Sequence, residues 1–187
     1  MKIKVQKFER VKSTNDIAHK LIKKNISTPT LIFSKKQTKG RGTMGKEWIS
    51  LKGNIFLSIL LIIDSKRINF KQYALLNAYL IRKILSKYSP SRISIKWPND
   101  LLIKKRKVCG ILQEFIKFKN KEFLIIGVGI NSFVSPSIKN LKTSSIQEFT
   151  KKKVDNNKIL KDIKKVYEKF IKDTKTFKFL DLKKRYK

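Results

Sequence analysis

Three short stretches of this 187-residue chain combine residue types that could do chemistry. Lys96-Trp97-Pro98-Asn99-Asp100 places a cation, a large aromatic, a rigid turn residue and a carboxylate in consecutive positions. An Asp beside an Asn can offer oxygen ligands to Mg²⁺, which keeps several of its waters. A Pro-Asn-Asp β-turn with Lys96 in water explains the same residues. Gly40-Arg41-Gly42-Thr43-Met44-Gly45 is a literal G-x-G-x-x-G, and Asp64 follows at about the 20-residue spacing of a dinucleotide fingerprint. That fingerprint must open a helix, and here the chain soon reaches Gly53-Asn54, a turn pair, so the reading fails. Backbone N–H groups of such a loop can still face an anion, with Arg41 and Lys46 adding charge, or the loop can be an ordinary flexible turn. Gly127-Val128-Gly129-Ile130-Asn131 ends an apolar run with two glycines that let another group approach the backbone. Asn131 then offers the donors and acceptor that complement an adenine edge, or it starts a turn after a bulge.

Other chemistries are excluded by scarcity. Cys109 is the only cysteine and His19 the only histidine, so neither an intramolecular disulfide nor a Cys/His metal site can be assembled, and the scarcity argues against a histidine-based triad, which needs its histidine near the nucleophile. Cys109 lies in the apolar run 108–112 and is expected to be a buried small residue. His19 falls on an amphipathic helix, where a packed or solvated role is the simpler one.

The elements that must position these loops follow from hydrophobic periodicity. Residues 3–9 alternate as a short strand. Ser13 or Thr14 can cap a helix to about residue 24, with Ile17, Ala18, Leu21 and Ile22 as its stripe. Residues 30–35 and 55–63 read as strands, separated by a Gly-rich loop over 36–46. A helix over 69–87 presents Tyr73, Leu76, Leu80 and Ile84 on one face. Strands follow at 93–96, 101–103, 108–118 and 123–130, joined by basic turns, and helices at 156–175 and 180–187. The sum predicts an α+β fold: a mixed sheet of about six strands with helices packed on one side.

Lys and Arg number 46 against 13 Asp and Glu, a formal charge of +33, which invites a nucleic-acid reading. However, 39 of the cations are Lys and only 7 are Arg, the residue that nucleic-acid contacts favour for bidentate pairing. Ile, Lys, Asn and Phe, with A/T-rich codons, supply 88 residues, whereas Ala, Gly, Pro and Arg supply 21. Genome composition spread over solvated faces accounts for most of the charge. The longest uninterrupted apolar run is about five residues, against roughly 20 for a membrane span. The N-terminus has no signal-peptide core, so a cytoplasmic protein is expected.

Five ordered motifs together resemble the biotin protein ligase catalytic domain. They are Ser13-Thr14-Asn15, Gln37-Thr38-Lys39-Gly40-Arg41-Gly42 followed by Trp48, Lys96-Trp97-Pro98-Asn99-Asp100, Lys107-Val108-Cys109-Gly110-Ile111-Leu112, and Gly127-Val128-Gly129-Ile130-Asn131. The resemblance spans roughly residues 5–180 and implies the class II synthetase-like biotin/lipoate ligase fold. It also implies an enzyme that joins biotin to ATP with Mg²⁺, holds biotinyl-5′-adenylate, and passes the biotinyl group to one lysine of a carboxylase's biotin carboxyl carrier domain. Lipoate and octanoyl transferases share the fold without this loop combination. Neither specific DNA binding nor a membrane partner is expected.

Residue by residue, the resemblance gives Ser13, Thr14, Asn15 and Gln37 to the biotin ureido pocket, with Trp48 as an apolar wall and Gly40, Arg41, Gly42, Thr43 and Gly110 around the ligand. Lys107 should bridge biotin carboxylate and α-phosphate, with Arg41 completing the catalytic set. Lys46, Lys96, Asn99, Asp100 and Asn131 fall to ATP, and Asp100 to Mg²⁺. The whole chain, 1–187, is expected to be one catalytic domain, with room for neither the helix-turn-helix nor the small C-terminal β-barrel of some relatives. Thr43 and Lys46 stand where many family loops carry Arg, which predicts weaker retention of the adenylate. The wild-type protein should therefore label bystander proteins with biotin more than a Thr43→Arg variant does, as read by blotting; equal labelling would remove the idea.

Overall fold

The computed structural model describes residues Met1–Lys187. Seven strands form one sheet: β1 (Lys4–Val11), β2 (Thr30–Gln37), β3 (Ile55–Ile63), β4 (Ile93–Lys96), β5 (Asp100–Ile103), β6 (Arg106–Phe118) and β7 (Lys121–Ile130). Their spatial order is β1-β2-β3-β7-β6-β5-β4. Only β1 and β2 run parallel; every other neighbouring pair is antiparallel. The sheet is thus mixed, as expected, with seven strands rather than about six.

Four helices accompany it: α1 (Thr14–Lys23), α2 (Phe70–Leu85), α3 (Asn156–Thr176) and α4 (Phe179–Tyr186). The expectation of helices on one side holds for α2, α3 and α4 and needs correction for α1. Side chains of a strand alternate between faces. Leu31, Ile59, Leu61, Leu124 and Ile126 point into the large core, which also holds Leu80 and Ile84 of α2, Ile163 and Phe170 of α3, and Leu182 of α4. The alternate residues Ile32, Leu60, Phe123 and Ile125 pack instead against Ala18 and Ile22 of α1. The cause is topological. A parallel pair needs a crossover, and α1 is the crossover between β1 and β2. No helix is long and apolar enough to cross a membrane.

Local signals explain where the helices begin. Asn69 and Gln72 form a capping box at α2, each side-chain oxygen accepting the other's backbone N–H at 3.0 Å. Asp155 caps α3 by accepting from the N–H groups of Asn157 and Lys158. Ser13 occupies the N-cap of α1, yet its side chain makes no capping hydrogen bond.

A chain of polar side chains runs through the large core. Tyr167 of α3 donates its hydroxyl to Asn77 Oδ1 of α2 at 3.0 Å, and Asn77 Nδ2 donates to Gln113 Oε1 of β6 at 2.7 Å. Tyr167 and Asn77 are fully buried. Tyr167→Phe should strand the Asn77 acceptor and cost about 1–3 kcal/mol of unfolding free energy. Urea denaturation measures this; a change within error would show that the network contributes no stability.

Candidate active site

The glycines noted at the end of β7 lie on the α1 face of the sheet and keep it flat. A Cβ on Gly127 would stand 2.5 Å from Asn15 Oδ1, and a Cβ on Gly129 would strike the Trp48 ring. Gly110, paired across from Gly129 in β6, meets the same ring, a Cβ there lying 2.7 Å from it. Asn15 and Trp48 can therefore rest directly on backbone. Around them opens a narrow cleft, walled among others by Ser13, Thr14, Asn15, Gln37, Trp48 and Lys107.

One wall is a chain of polar groups. Gln37 Oε1 accepts from the Thr14 backbone N–H at 2.8 Å and from its hydroxyl at 3.1 Å. Ser58, the only hydroxyl in the apolar run of β3, bonds to Thr14 Oγ1 at 2.7 Å and also donates to Asn15 Oδ1. Asn15 Nδ2 donates to Glu114 Oε2 at 2.6 Å. Gln37 Nε2 turns to Ser50 Oγ at 3.2 Å. Such a wall, with Ser13 buried beside it and its hydroxyl free of the helix cap, suits a small ring that carries both donors and acceptors.

The opposite end of the cleft is ionic. Lys107 Nζ lies 2.7 Å from Asp100 Oδ1, both side chains being 17% exposed. The ammonium also sits 5.4 Å from the Trp48 ring centroid, within cation–π range. Simple alternation would put Lys107 on the same face as Cys109, away from Gly110. The β5–β6 register slips between Leu101 and Leu102, where Leu102 pairs with Lys107 and Leu101 with Cys109. This bulge turns Lys107 to the cleft. Hydrogen bonds from Lys107 N–H to the Lys142 carbonyl and from Ser144 N–H to the Lys107 carbonyl fix the backbone there.

The Gly-rich loop covers the cleft. Arg41 Nη2 reaches Glu114 Oε2 at 3.1 Å and Asp16 Oδ1 at 3.3 Å, so its side chain points toward α1 and β6 rather than toward Lys107. Thr43 Oγ1 is 3.5 Å from Asn99 Nδ2, bringing the loop to the β4–β5 turn. Gly42 lines the cleft, while Gly40 packs beneath the Trp48 carbonyl, where a Cβ would not fit. Met44 adopts a left-handed φ of 55° at the exposed tip.

Most of the residues expected from the sequence line the cleft; besides Gly40, four do not, and of these Asp100 meets it only through Lys107. Lys46 and Lys96 are exposed and line no part of the cleft. Asp100 lies behind Lys107. Asn131 is buried, its Nδ2 donating to the Ser144 carbonyl at 3.2 Å, and its Oδ1 has no partner. Cys109 is fully buried, and burial pushes its thiol well above the ordinary range, so it is no nucleophile. Glu114, Ser58 and Asp16 were missed. A carboxylate in the apolar run of β6 and a lone hydroxyl in β3 were the available signals.

No three His, Cys, Asp or Glu side chains are grouped so that they could hold a metal. Asp100 is the one carboxylate at the ionic end, with one oxygen engaged by Lys107. That donor set fits a magnesium ion carried in by phosphates, which needs only one or two protein carboxylates.

The site thus combines a glycine floor, a polar wall and a Lys–Asp end on a mixed sheet, and the match to known proteins places it. Residues 7–131 match the model of the biotin/lipoate A/B protein ligase family, so the chain belongs to that family. It is 33% identical over 178 residues to the bifunctional ligase/repressor BirA of Bacillus subtilis, covering 91% of this chain and 54% of that protein. The biotin–[acetyl-CoA-carboxylase] ligase of Paracoccus denitrificans is 30% identical over 130 residues, covering 68% and 54%. Among solved structures, the Aquifex aeolicus biotin protein ligase in complex with biotin and ATP superposes with a TM-score of 0.80 at 28% identity, covering 98% of this chain and 76% of that one. The chain spans about half the length of the curated relatives it matches.

Gly127→Ala should force Asn15 off the sheet and lose about 1–3 kcal/mol of stability to overpacking. The polar wall would be displaced with it, so affinity for a ring ligand, read by calorimetry, should fall as well; unchanged binding would show that Asn15 does not shape the cleft.

Proposed function

We propose that the chain activates biotin with ATP and transfers the biotinyl group to a lysine of a carboxylase's biotin carrier domain. The observation that carries this reading is a single cleft with a donor-and-acceptor wall at one end and the Lys107–Asp100 pair at the other. A ureido ring fits the first and a carboxylate the second. Longer acyl chains such as lipoate or octanoate have no use for the polar wall of Thr14, Asn15 and Gln37.

In the first step a biotin carboxylate oxygen attacks the α-phosphorus of ATP, the new P–O bond forming as pyrophosphate leaves. Several negative charges must converge. A cation about 4 Å from one of them offsets roughly 4 kcal/mol at an effective dielectric near 20. Lys107 is the one cation lodged at the ionic end beside Trp48, and its Asp100 partner holds it in place until phosphates arrive. Backbone N–H groups of Arg41 and Thr43 would hold the carboxylate, the Gly42 N–H being donated to the Lys46 carbonyl at 2.7 Å, and closure of the loop would keep water from the mixed anhydride. Asp100 would offer a carboxylate to a magnesium ion bound to the nucleotide's phosphates, an ion that would offset part of their charge. The unpaired, buried Oδ1 of Asn131 supports an adenine contact once segment 140–144 yields. In the second step the neutral acceptor amine attacks the acyl carbonyl and AMP leaves, so no protein nucleophile is required.

The test is calorimetry with biotin, with ATP and with both, followed by pyrophosphate release and mass spectrometry of a carrier domain, with lipoate as the comparison acid. Lys107→Ala should lower adenylate formation about 100-fold or more while the fold persists. Full activity in that variant, or preference for lipoate, would overturn the reading.

A further inference from the structure

Glu114 stands at the junction of three elements. Its Oε2 accepts from Asn15 Nδ2 at 2.6 Å and from Arg41 Nη2 at 3.1 Å, and His19 Nε2 lies 3.4 Å away. Its side chain is only 22% exposed, in the middle of β6, whereas Arg41 and its second carboxylate, Asp16, are 40% and 42% exposed. One carboxylate oxygen thus touches both the amide that rests on Gly127 and the loop that covers the cleft. We propose that Glu114 is a positioning residue that ties the Gly-rich loop to the polar wall, so that the orientation of Asn15 and the placement of the Arg41 backbone are set together.

Physical chemistry favours this over a plain surface ion pair. The Asn15 amide has no freedom to turn: its oxygen accepts from Ser58, so its NH₂ must face a carboxylate or lose a buried partner. Charge-assisted hydrogen bonds of this kind are stronger than neutral ones. Removing Glu114 would release Arg41 on one side and unpair Asn15 on the other. Removing Asp16 would loosen Arg41 alone, because Asp16 does not reach Asn15.

The kinetic consequence rests on the biotin-ligase reading, whereas the tether itself does not, and the experiment separates them. Hydrogen exchange at the amides of residues 41–47 in the ligand-free protein measures the tether directly. Glu114→Ala should speed it about tenfold, as expected for the loss of one charge-assisted hydrogen bond. Glu114→Gln, which folds with the same volume, should have a smaller effect. Biotin KM should rise about tenfold in Glu114→Ala with ATP KM unchanged, the same bond loss being felt only at the ring. In Asp16→Asn biotin KM should stay within about twofold, since exposed pairs are weak. Unchanged loop exchange in both Glu114 variants overturns the proposal, as does a biotin KM that stays at the wild-type value. If wild-type protein releases no pyrophosphate with biotin and ATP while loop exchange responds to Glu114, the functional reading fails and the tether stands.

Discussion

The ion pair between Lys107 and Asp100 is the constraint on which the rest of the site depends. Two charges held 2.7 Å apart and mostly away from water gain little net stability, because desolvation offsets their attraction. They persist because the surrounding structure leaves them nowhere else to go. The β5–β6 bulge turns Lys107 inward, the short β4–β5 turn supplies Asp100, and backbone hydrogen bonds to residues 142 and 144 lock the strand between them. The glycine floor then brings Trp48 over the ammonium.

The sheet divides its two faces between different tasks. One carries the large core with α2, α3 and α4, where most apolar area is buried and stability resides. The other carries α1, a smaller apolar cluster and the cleft. Polar side chains on that second face are bonded largely to one another, with Gln37 also accepting from the first N–H of α1. The uncapped hydroxyl of Ser13 fits the pattern: a cap at this position contributes about 1 kcal/mol, and here that is forgone.

The α+β class, every strand and the termini of α2 and α3 were legible because periodicity and capping residues are local signals. The three motif loops could be read, and the order of five motifs pointed to the family, because residue types at fixed spacing survive without coordinates. What could not be read was parity. Nothing local announces that a bulge turns Lys107 to the cleft, that α1 crosses the opposite face, or that Arg41 points at Glu114. Lys46 and Lys96 looked equivalent to Lys107 as cations, and only the fold separates two exposed side chains from one lodged against Trp48. Glu114 was invisible for the same reason: its partners are 99 and 73 residues away in sequence.

The loop and strand cations of the cleft also change the meaning of the +33 charge. The chain has only 13 carboxylates, yet Asp16, Glu114 and Asp100 are all committed to Arg41 and Lys107. Three of these scarce acids serve as internal counter-ions to the two cations of the cleft, while most lysines elsewhere have no carboxylate partner. The cleft is therefore close to neutral inside a strongly positive molecule. On the proposed reading an incoming carboxylate or phosphate would meet a long-range attraction that salt screens, and then a short-range exchange in which it would take the place of a protein carboxylate. Attraction and selection are in this way carried by different lysines.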